Sequence, residues 1–540
     1  MLAIESLAIA IGETPLIHPL SLKLAEGKTL ALVGESGSGK SLTALAILGL
    51  LPARARSCGR ILFRGEDLLA MNEKQSCAIR GKEIGFIFQE PMSALNPMQG
   101  IGDQLIEAIR QHNPIPAGEA RQRARELLAR VGLSVLTSQL ERRPHSLSGG
   151  QRQRVAIAIA IANKPSLLIA DEPTTALDAS TQAQILELLR SLSREQGCAL
   201  LLISHDLAVV AEYADEVAVM QSGSLLETGP TERVFAAPAH PYTRALIASS
   251  RLAPRPLRAV SDAGVPLLEI EDLVRKYRRP ARRLFERTRH HRAVDSVSLR
   301  IQPGEAVGLV GESGCGKSTL LRTLLGLEAV QGGAIRLAGE RFSGEDTARQ
   351  RTLRRQIQIV FQDPRGSFDP RWSVEQIIAE PFHLLSPLPD RAERKRRVEE
   401  ALCEVGLSPA DAQRRPHEFS GGQRQRIAIA RALVTRPRLL ILDEAVSALD
   451  VTIRGQILEL LATLSERLGI AYLFASHDLA VVRAVTDRVY VMRKGRIIES
   501  GPTARVFSQP RHPYTAALLA ASPSSVLAGT DGNYAVAWAA

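Results

Sequence analysis

The sequence predicts an α/β fold built twice in tandem, each copy an α/β core carrying a helical subdomain. A glycine loop, Gly34, Glu35, Ser36, Gly37, Ser38, Gly39, Lys40 and Ser41, returns as Gly311, Glu312, Ser313, Gly314, Cys315, Gly316, Lys317 and Ser318, followed by Thr319. Both match the pattern G-x-x-x-x-G-K-[ST]. The companions of the loop return in the same order and at one common offset. Ser148, Gly149, Gly150 and Gln151 become Ser420, Gly421, Gly422 and Gln423. Asp171-Glu172 becomes Asp443-Glu444, and His205 becomes His477. Short continuous apolar runs lead into these motifs, as expected of parallel strands buried on both faces.

The elements follow in chain order. Thr29 to Val33 and Ala306 to Val310 are apolar runs entering the glycine loops, and Ser41 to Leu51 and Ser318 to Leu327 continue them as helices. Strand, glycine loop and helix form the context in which this motif binds phosphate. The stretches from Gln89 to Ser148 and from Gln362 to Ser420 are charged and helical in pattern, with Glu119 to Val131 one amphipathic segment; both are expected to be helical insertions. Ser148 and Ser420 are expected to cap the helices that follow. Leu167 to Ala170 and Leu439 to Leu442 end in acid, and Ala199 to Ser204 and Ala471 to Ser476 end at histidine. Binding residues thus gather at the carboxyl ends of strands, where open α/β sheets hold ligands. The expected organisation is a first domain over 1–250, a Pro- and Arg-rich linker over 251–266, a second domain over 267–522 and a loose tail over 523–540.

Composition narrows the function classes. A chain of 540 residues with 45% hydrophobic content can bury two sizeable cores. Aromatics are 4%, which disfavours stacking platforms for nucleic acid. The formal charge is +11, and Arg275 to Arg292 alone holds nine Arg or Lys against one Glu. That run suits a solvated loop, or one facing phospholipid headgroups or RNA, and does not itself choose among them. Cys58, Cys77, Cys198, Cys315 and Cys403 lack metal-ligand spacing, so neither zinc nor an iron–sulfur cluster is expected. Neither a signal peptide nor a membrane-spanning segment is expected either.

The residue types fix an expected chemistry. Backbone N–H groups of the glycine loops, with the following helix N-terminus, converge on phosphate oxygens. Lys40 and Lys317 are expected to neutralise the β- and γ-phosphates of ATP, and Ser41 and Ser318 to ligate Mg²⁺, with Asp171 and Asp443 holding that ion directly or through its bound water. Glu172 and Glu444 polarise the attacking water, and His205 and His477 reach the γ-phosphate. Ser148-Gly149-Gly150 and Ser420-Gly421-Gly422 open a second helix N-terminus to an anion in each half. One triphosphate does not need two such devices, so the second is expected to serve a neighbour's nucleotide. Cys315 sits at a helix start, a setting that lowers thiol pKa; it is expected to be a tolerated small residue.

Leu147 to Arg154 and Phe419 to Arg426 resemble the signature loop of ATP-binding cassette (ABC) proteins. With both glycine loops, Gln89 and Gln362, the acidic pairs, Ala176 to Asp178 and Ala448 to Asp450, and both histidines, the ABC set occurs twice. The resemblance implies two tandem ABC ATPase domains paired head to tail within the chain. Each ATP then lies between the loop of one half and the signature of the other, with Gln89 and Gln362 also near Mg²⁺. His240-Pro241-Tyr242 and His512-Pro513-Tyr514 are similar to a segment of bacterial dipeptide/oligopeptide importer ATPases, here fused in one chain as in the Yej type. This implies two transmembrane permease subunits, an extracytoplasmic solute-binding protein, no nucleic-acid partner, and a peripheral position on the cytoplasmic face of the inner membrane. Three departures stand out. The cysteine cluster of many relatives is missing after either copy. Ile11 stands where the family often has an adenine-stacking aromatic, a role that Tyr277 fits in the second half. Ala445 replaces a proline. A soluble twin cassette acting on ribosomes or DNA is the rival reading, disfavoured by the short Pro-rich linker and the lack of zinc-type cysteine pairs.

Overall fold

The computed structural model describes residues 1–89, 94–174, 177–250, 264–279, 289–342, 347–447 and 449–521. Most of the expected linker, the tail from 523, the middle of the basic run (280–288), residues 90–93, Ala176 and Ala448 lie outside the described residues. The chain divides into two compact units, one holding Met1–Arg251 and the other Leu252–Leu449 and Ile453–Ser522.

In the first unit, among the described residues, strands Ile84–Ile87, Leu167–Asp171, Ala199–Ile203, Thr29–Val33 and Glu216–Gln221 lie side by side and parallel. Ser224–Pro230 closes one edge antiparallel. Alternate residues of the central strands enter different cores. Leu167, Ile169, Leu201 and Ile203 join a core with Leu30, Leu32, Ala44 and Ile47. Leu168, Ala170, Leu200 and Leu202 join another with the helical insertion. Burial on both faces is why these strands read as unbroken apolar runs.

The first of those cores is roofed by an antiparallel sheet in the order Thr14–Leu24, Leu2–Ile11, Ala55–Phe63 and Glu66–Asp67. The second is built by helices Ile101–His112 and Ala117–Arg130, which bury Ile101, Leu105 and Ile109, and Ala120, Ala124, Leu127 and Leu128. These spacings of three and four residues draw one apolar stripe down each helix. A third core sets Ala31 and Val33 of the loop-bearing strand against Leu207, Val210, Val234, Leu246 and Ile247.

The second unit repeats this plan. Ile357–Val360, Leu439–Asp443, Ala471–Ser476, Ala306–Val310 and Arg488–Arg493 run parallel, with Arg496–Pro502 antiparallel at the edge. Arg289–Ile301, Leu268–Arg279, Gly332–Leu337 and Glu340–Arg341 form its antiparallel sheet. Among the described residues, no helix is long and apolar enough to cross a membrane.

The register positions the chemistry. Val310 pairs with Ser476, and Asp443 with Ala475. In the first unit Leu32 and Asp171 both pair with Ile203. Glycine loop, acidic pair and histidine therefore leave the carboxyl ends of three adjacent interior strands in each sheet.

Candidate active site

The glycine loops are shaped by close backbone approach. Gly34 has φ 151°, and a Cβ there would lie 2.1 Å from the Met220 carbonyl oxygen; Gly311 has φ 158°, with Met492 O at 2.2 Å. Only glycine fits such a seat. Lys40 Nζ donates to the carbonyls of Gly34 and Glu35, both at 2.8 Å, and Lys317 Nζ donates to Gly311 at 2.6 Å and Glu312 at 3.1 Å. Burial pushes the Lys40 ammonium below its ordinary pKa, against the opposing pull of Glu172 and Asp171. Helices Lys40–Ile47 and Lys317–Leu324 begin at these loops, so their first N–H groups face the loop interior.

Asp171 ends its strand almost fully buried. Burial pushes its carboxyl above the usual range, partly offset by a hydrogen bond from Ser41. Its Oδ1 has no hydrogen-bond partner among the described residues. A buried, unpaired carboxylate oxygen beside a serine hydroxyl is a donor set that suits a hard divalent cation such as Mg²⁺. Asp443 is likewise pushed up by burial and by Glu444, and bonds Ser318.

Glu172 and Glu444 follow at φ 45° and 49°, in the left-handed region that non-glycine residues rarely occupy. Their N–H groups are tied to the neighbouring strand, to Ile203 O at 3.0 Å and Ala475 O at 2.9 Å. Strain of this kind persists where the surroundings over-determine it. Each carboxylate is bracketed from two sides. Gln89 Nε2 donates to Glu172 Oε2 at 2.8 Å, and His205 Nδ1 lies 3.2 Å from Oε1. Gln362 and His477 repeat this around Glu444 at 2.9 and 3.2 Å. Burial would raise the Glu444 pKa, but the hydrogen bond and charge of His477 with the charge of Lys317 hold it below the usual range. An ionised carboxylate so oriented can take a proton from water.

Within each half the structure thus gathers the loop lysine and serine, the aspartate, the glutamate, the glutamine and the histidine. Ser148 and Ser420 lie elsewhere, as N-caps of helices Gly149–Ala160 and Gly421–Leu433. Each makes a reciprocal capping box with Gln151 or Gln423. Their described hydrogen bonds stay within that turn. The Tyr277 hydroxyl donates to the Glu328 carboxylate, and the Arg275 guanidinium lies 5.1 Å from the Tyr277 ring centroid and 2.9 Å from Glu328. Ile11, at the matching place in the first half, is 36% exposed. Cys315 departs from the acidified thiol that its helix-start position suggests. Its side chain turns into the core with Leu309 and Met492, and burial pushes its pKa up.

One arrangement escaped the sequence reading. Glu227 accepts the N–H groups of Ala239 at 2.9 Å and His240 at 3.1 Å. His240 Nδ1 accepts the N–H of Tyr242 at 3.1 Å, and the Tyr242 hydroxyl accepts the N–H of Glu35 at 3.3 Å. In the second half Glu499 accepts from Arg511 and His512, His512 Nδ1 from Tyr514, and the Tyr514 hydroxyl from Glu312 at 3.1 Å. The available signal was a glutamate at the same distance before each His-Pro-Tyr. Against the upward pull of burial, the N–H bonds hold Glu227 and Glu499 below their ordinary value of 4.5. A depressed carboxylate contributes stability that is complete above pH 4.5 and is lost as pH falls through the lower folded value. Glu227→Gln/Glu499→Gln is therefore expected to lower Tm at pH 7 by about 2–4 °C per 1 kcal/mol lost. The deficit should hold constant down to about pH 5 and close in more acid solution. Thermal melts of both proteins across that range check this.

The family model for ABC transporters matches residues 17–175 and 294–447, and that for the oligopeptide/dipeptide transporter C-terminal region matches 226–263 and 498–530. The chain is 47% identical over 529 residues to the peptidoglycan transport ATP-binding protein YejF of Agrobacterium fabrum, covering 97% of this chain and 96% of that protein. It is 45% identical over 559 residues to the glutathione import ATP-binding protein GsiA of Escherichia coli K12, covering 97% and 89%. Among solved structures, cbiO1 from Clostridium perfringens is 30% identical and aligns with 48% of this chain and 100% of its own, at a TM-score of 0.40. The phosphate loops, the paired carboxylates and the duplicated match agree: the chain belongs to the ABC transporter family, as an ATPase with two ATP-binding cassettes in one polypeptide.

Proposed function

We propose that this chain is the ATPase subunit energising an importer of peptides or related small solutes across the cytoplasmic membrane. The observation that carries the reading is the pairing, in each half, of a complete phosphate-and-carboxylate cluster with a His-Pro-Tyr segment matched to oligopeptide/dipeptide transporters. The relatives named for peptidoglycan transport and glutathione import point the same way.

In the mechanism, the loop amides with Lys40 or Lys317 hold the triphosphate. Ser41 with Asp171, and Ser318 with Asp443, would hold Mg²⁺, with Gln89 and Gln362 adjacent. An ion held there would supply positive charge that offsets the charge developing on the transferred phosphate. Glu172 and Glu444 accept the proton of the attacking water, oriented by Gln89 and His205 or by Gln362 and His477. Tyr277 stacks on adenine in the second half, where Ile11 gives the first no such platform. The cassettes span 1–250 and 267–522, joined by the linker at 251–266 and followed by the tail at 523–540. They pair head to tail, so that Ser420, Gly421 and Gly422 complete the site of Lys40, and Ser148, Gly149 and Gly150 that of Lys317. The partners are two permease subunits and an extracytoplasmic solute-binding protein, with the ATPase peripheral on the cytoplasmic face.

A tagged Glu172→Gln/Glu444→Gln chain, purified with ATP from detergent-solubilised cells, is expected to bring two polytopic membrane proteins with it. Ribosomes or DNA-repair proteins without a membrane partner would overturn the transport reading.

A further inference from the structure

We propose that Tyr242 and Tyr514 are positioning residues of the two phosphate loops: each hydroxyl anchors the N–H of the loop's second residue, so the C-terminal segment of each half sets the shape in which its loop receives phosphate. The hydrogen bonds run to Glu35 and Glu312, across 207 and 202 residues of sequence. The same loop residue is gripped twice. Its carbonyl accepts from the loop lysine, and its N–H donates to the tyrosine. When the lysine turns to phosphate it releases that carbonyl, and the tyrosine bond remains as a tie on this stretch of loop.

The tyrosine is itself fixed. His240 and His512 accept its N–H, the following proline opens its helix, and Glu227 or Glu499 clamps the turn. Leu246 and Ile247 pack the first helix against Ala31 and Val33 of the loop-bearing strand. In the second half Tyr514 and Leu518 share a core with Val310, and the Arg493 guanidinium lies 4.6 Å over the Tyr514 ring. Burial pushes both phenols up to about 12, so each hydroxyl stays neutral across the physiological range and accepts the amide N–H through an oxygen lone pair. Both halves build this linkage from the same residues, although only the second adds the arginine. It requires the loops to be the ATP sites and does not depend on import.

The test is a titration of the full chain with a fluorescent ATP analogue, with steady-state hydrolysis alongside. In Tyr242→Phe/Tyr514→Phe the rings keep their packing and lose the acceptor. The expected result is about tenfold weaker nucleotide binding and a similar rise in KM, with kcat within about twofold. Hydrogen exchange at Glu35 and Glu312 should accelerate. Leu128→Ala/Leu402→Ala, which opens cavities in helices Ala117–Arg130 and Arg391–Glu404 away from the tyrosines, should lower Tm and leave nucleotide affinity near wild type. If the phenylalanine chain is insoluble, His240→Asn/His512→Asn keeps the cap and should bind as wild type, while His240→Ala/His512→Ala should bind more weakly. Phenylalanine or alanine variants that bind nucleotide as tightly as wild type overturn the proposal. A wild-type chain that fails to bind nucleotide overturns instead the assignment of the loops.

Discussion

Replacing Glu172 and Glu444 together by glutamine is expected to slow ATP hydrolysis by about 10²–10⁴, the loss typical of a missing general base, while ATP binding stays close to wild type. The reason is local. Each carboxylate is held by a glutamine amide on one oxygen and a histidine on the other, on a backbone strained into the left-handed region. Glutamine retains that size and most of the hydrogen bonding, but it cannot take a proton from water. The lysine, serine and aspartate proposed to meet the triphosphate and its Mg²⁺ are untouched. Single-turnover hydrolysis and equilibrium nucleotide binding on the same preparation separate the two effects. Near-normal turnover would remove both glutamates from the role of base.

The second large effect is steric. Gly34→Ala/Gly311→Ala is expected to abolish nucleotide binding at both loops. The new methyl groups would sit 2.1 and 2.2 Å from the carbonyl oxygens of Met220 and Met492, which belong to strands of the central sheets. Relief requires the loop to leave the sheet edge, and overpacking and backbone strain each cost about 1–3 kcal/mol. Gly118→Ala is the control. It lies in helix Ala117–Arg130 with no atom near its added Cβ, and should leave binding unchanged or gain up to about 1 kcal/mol of stability. Binding isotherms of the three proteins decide it.

How much of this was legible in the sequence depends on range. The parallel strands were readable because both faces are buried, and Thr29–Val33 and Ala306–Val310 fall where the apolar runs place them. The helices after the glycine loops are shorter than their pattern suggests, ending at Ile47 and Leu324. There Gly49 and Leu50 turn back to bond Ala46 and Leu45, and Gly326 and Leu327 do the same with Thr323 and Arg322. That closing geometry has its own glycine signature. The antiparallel sheets were missed for a physical reason. Their alternation is broken by bulges, with register shifts between Ile4 and Leu7 and between Ile270 and Leu273, and with Ser6 and Asp272 at positive φ. A bulge reverses which residues face inward, and so hides the two-residue period.

The candidate site divides in the same way. Lysine, serine, aspartate, glutamate and histidine announce themselves through short motifs whose spacing carries the chemistry. The pairings among them do not. Gln89 reaches Glu172 across 83 residues and Tyr242 reaches Glu35 across 207. Such pairings depend on strand order and on the packing of the C-terminal helices, which one sequence does not specify. For the same reason the helix-start position of Cys315 does not reveal that its thiol folds into the core, where burial pushes its pKa up.

The central claim is that one chain carries two ATP sites, each needing its own loop. It is tested most directly by counting nucleotides trapped on the Glu172→Gln/Glu444→Gln chain at saturating ATP, by native mass spectrometry. The account predicts two ATP per chain, falling to one when Lys40→Ala or Lys317→Ala is added. A stoichiometry that never exceeds one, or that neither lysine substitution changes, would contradict it.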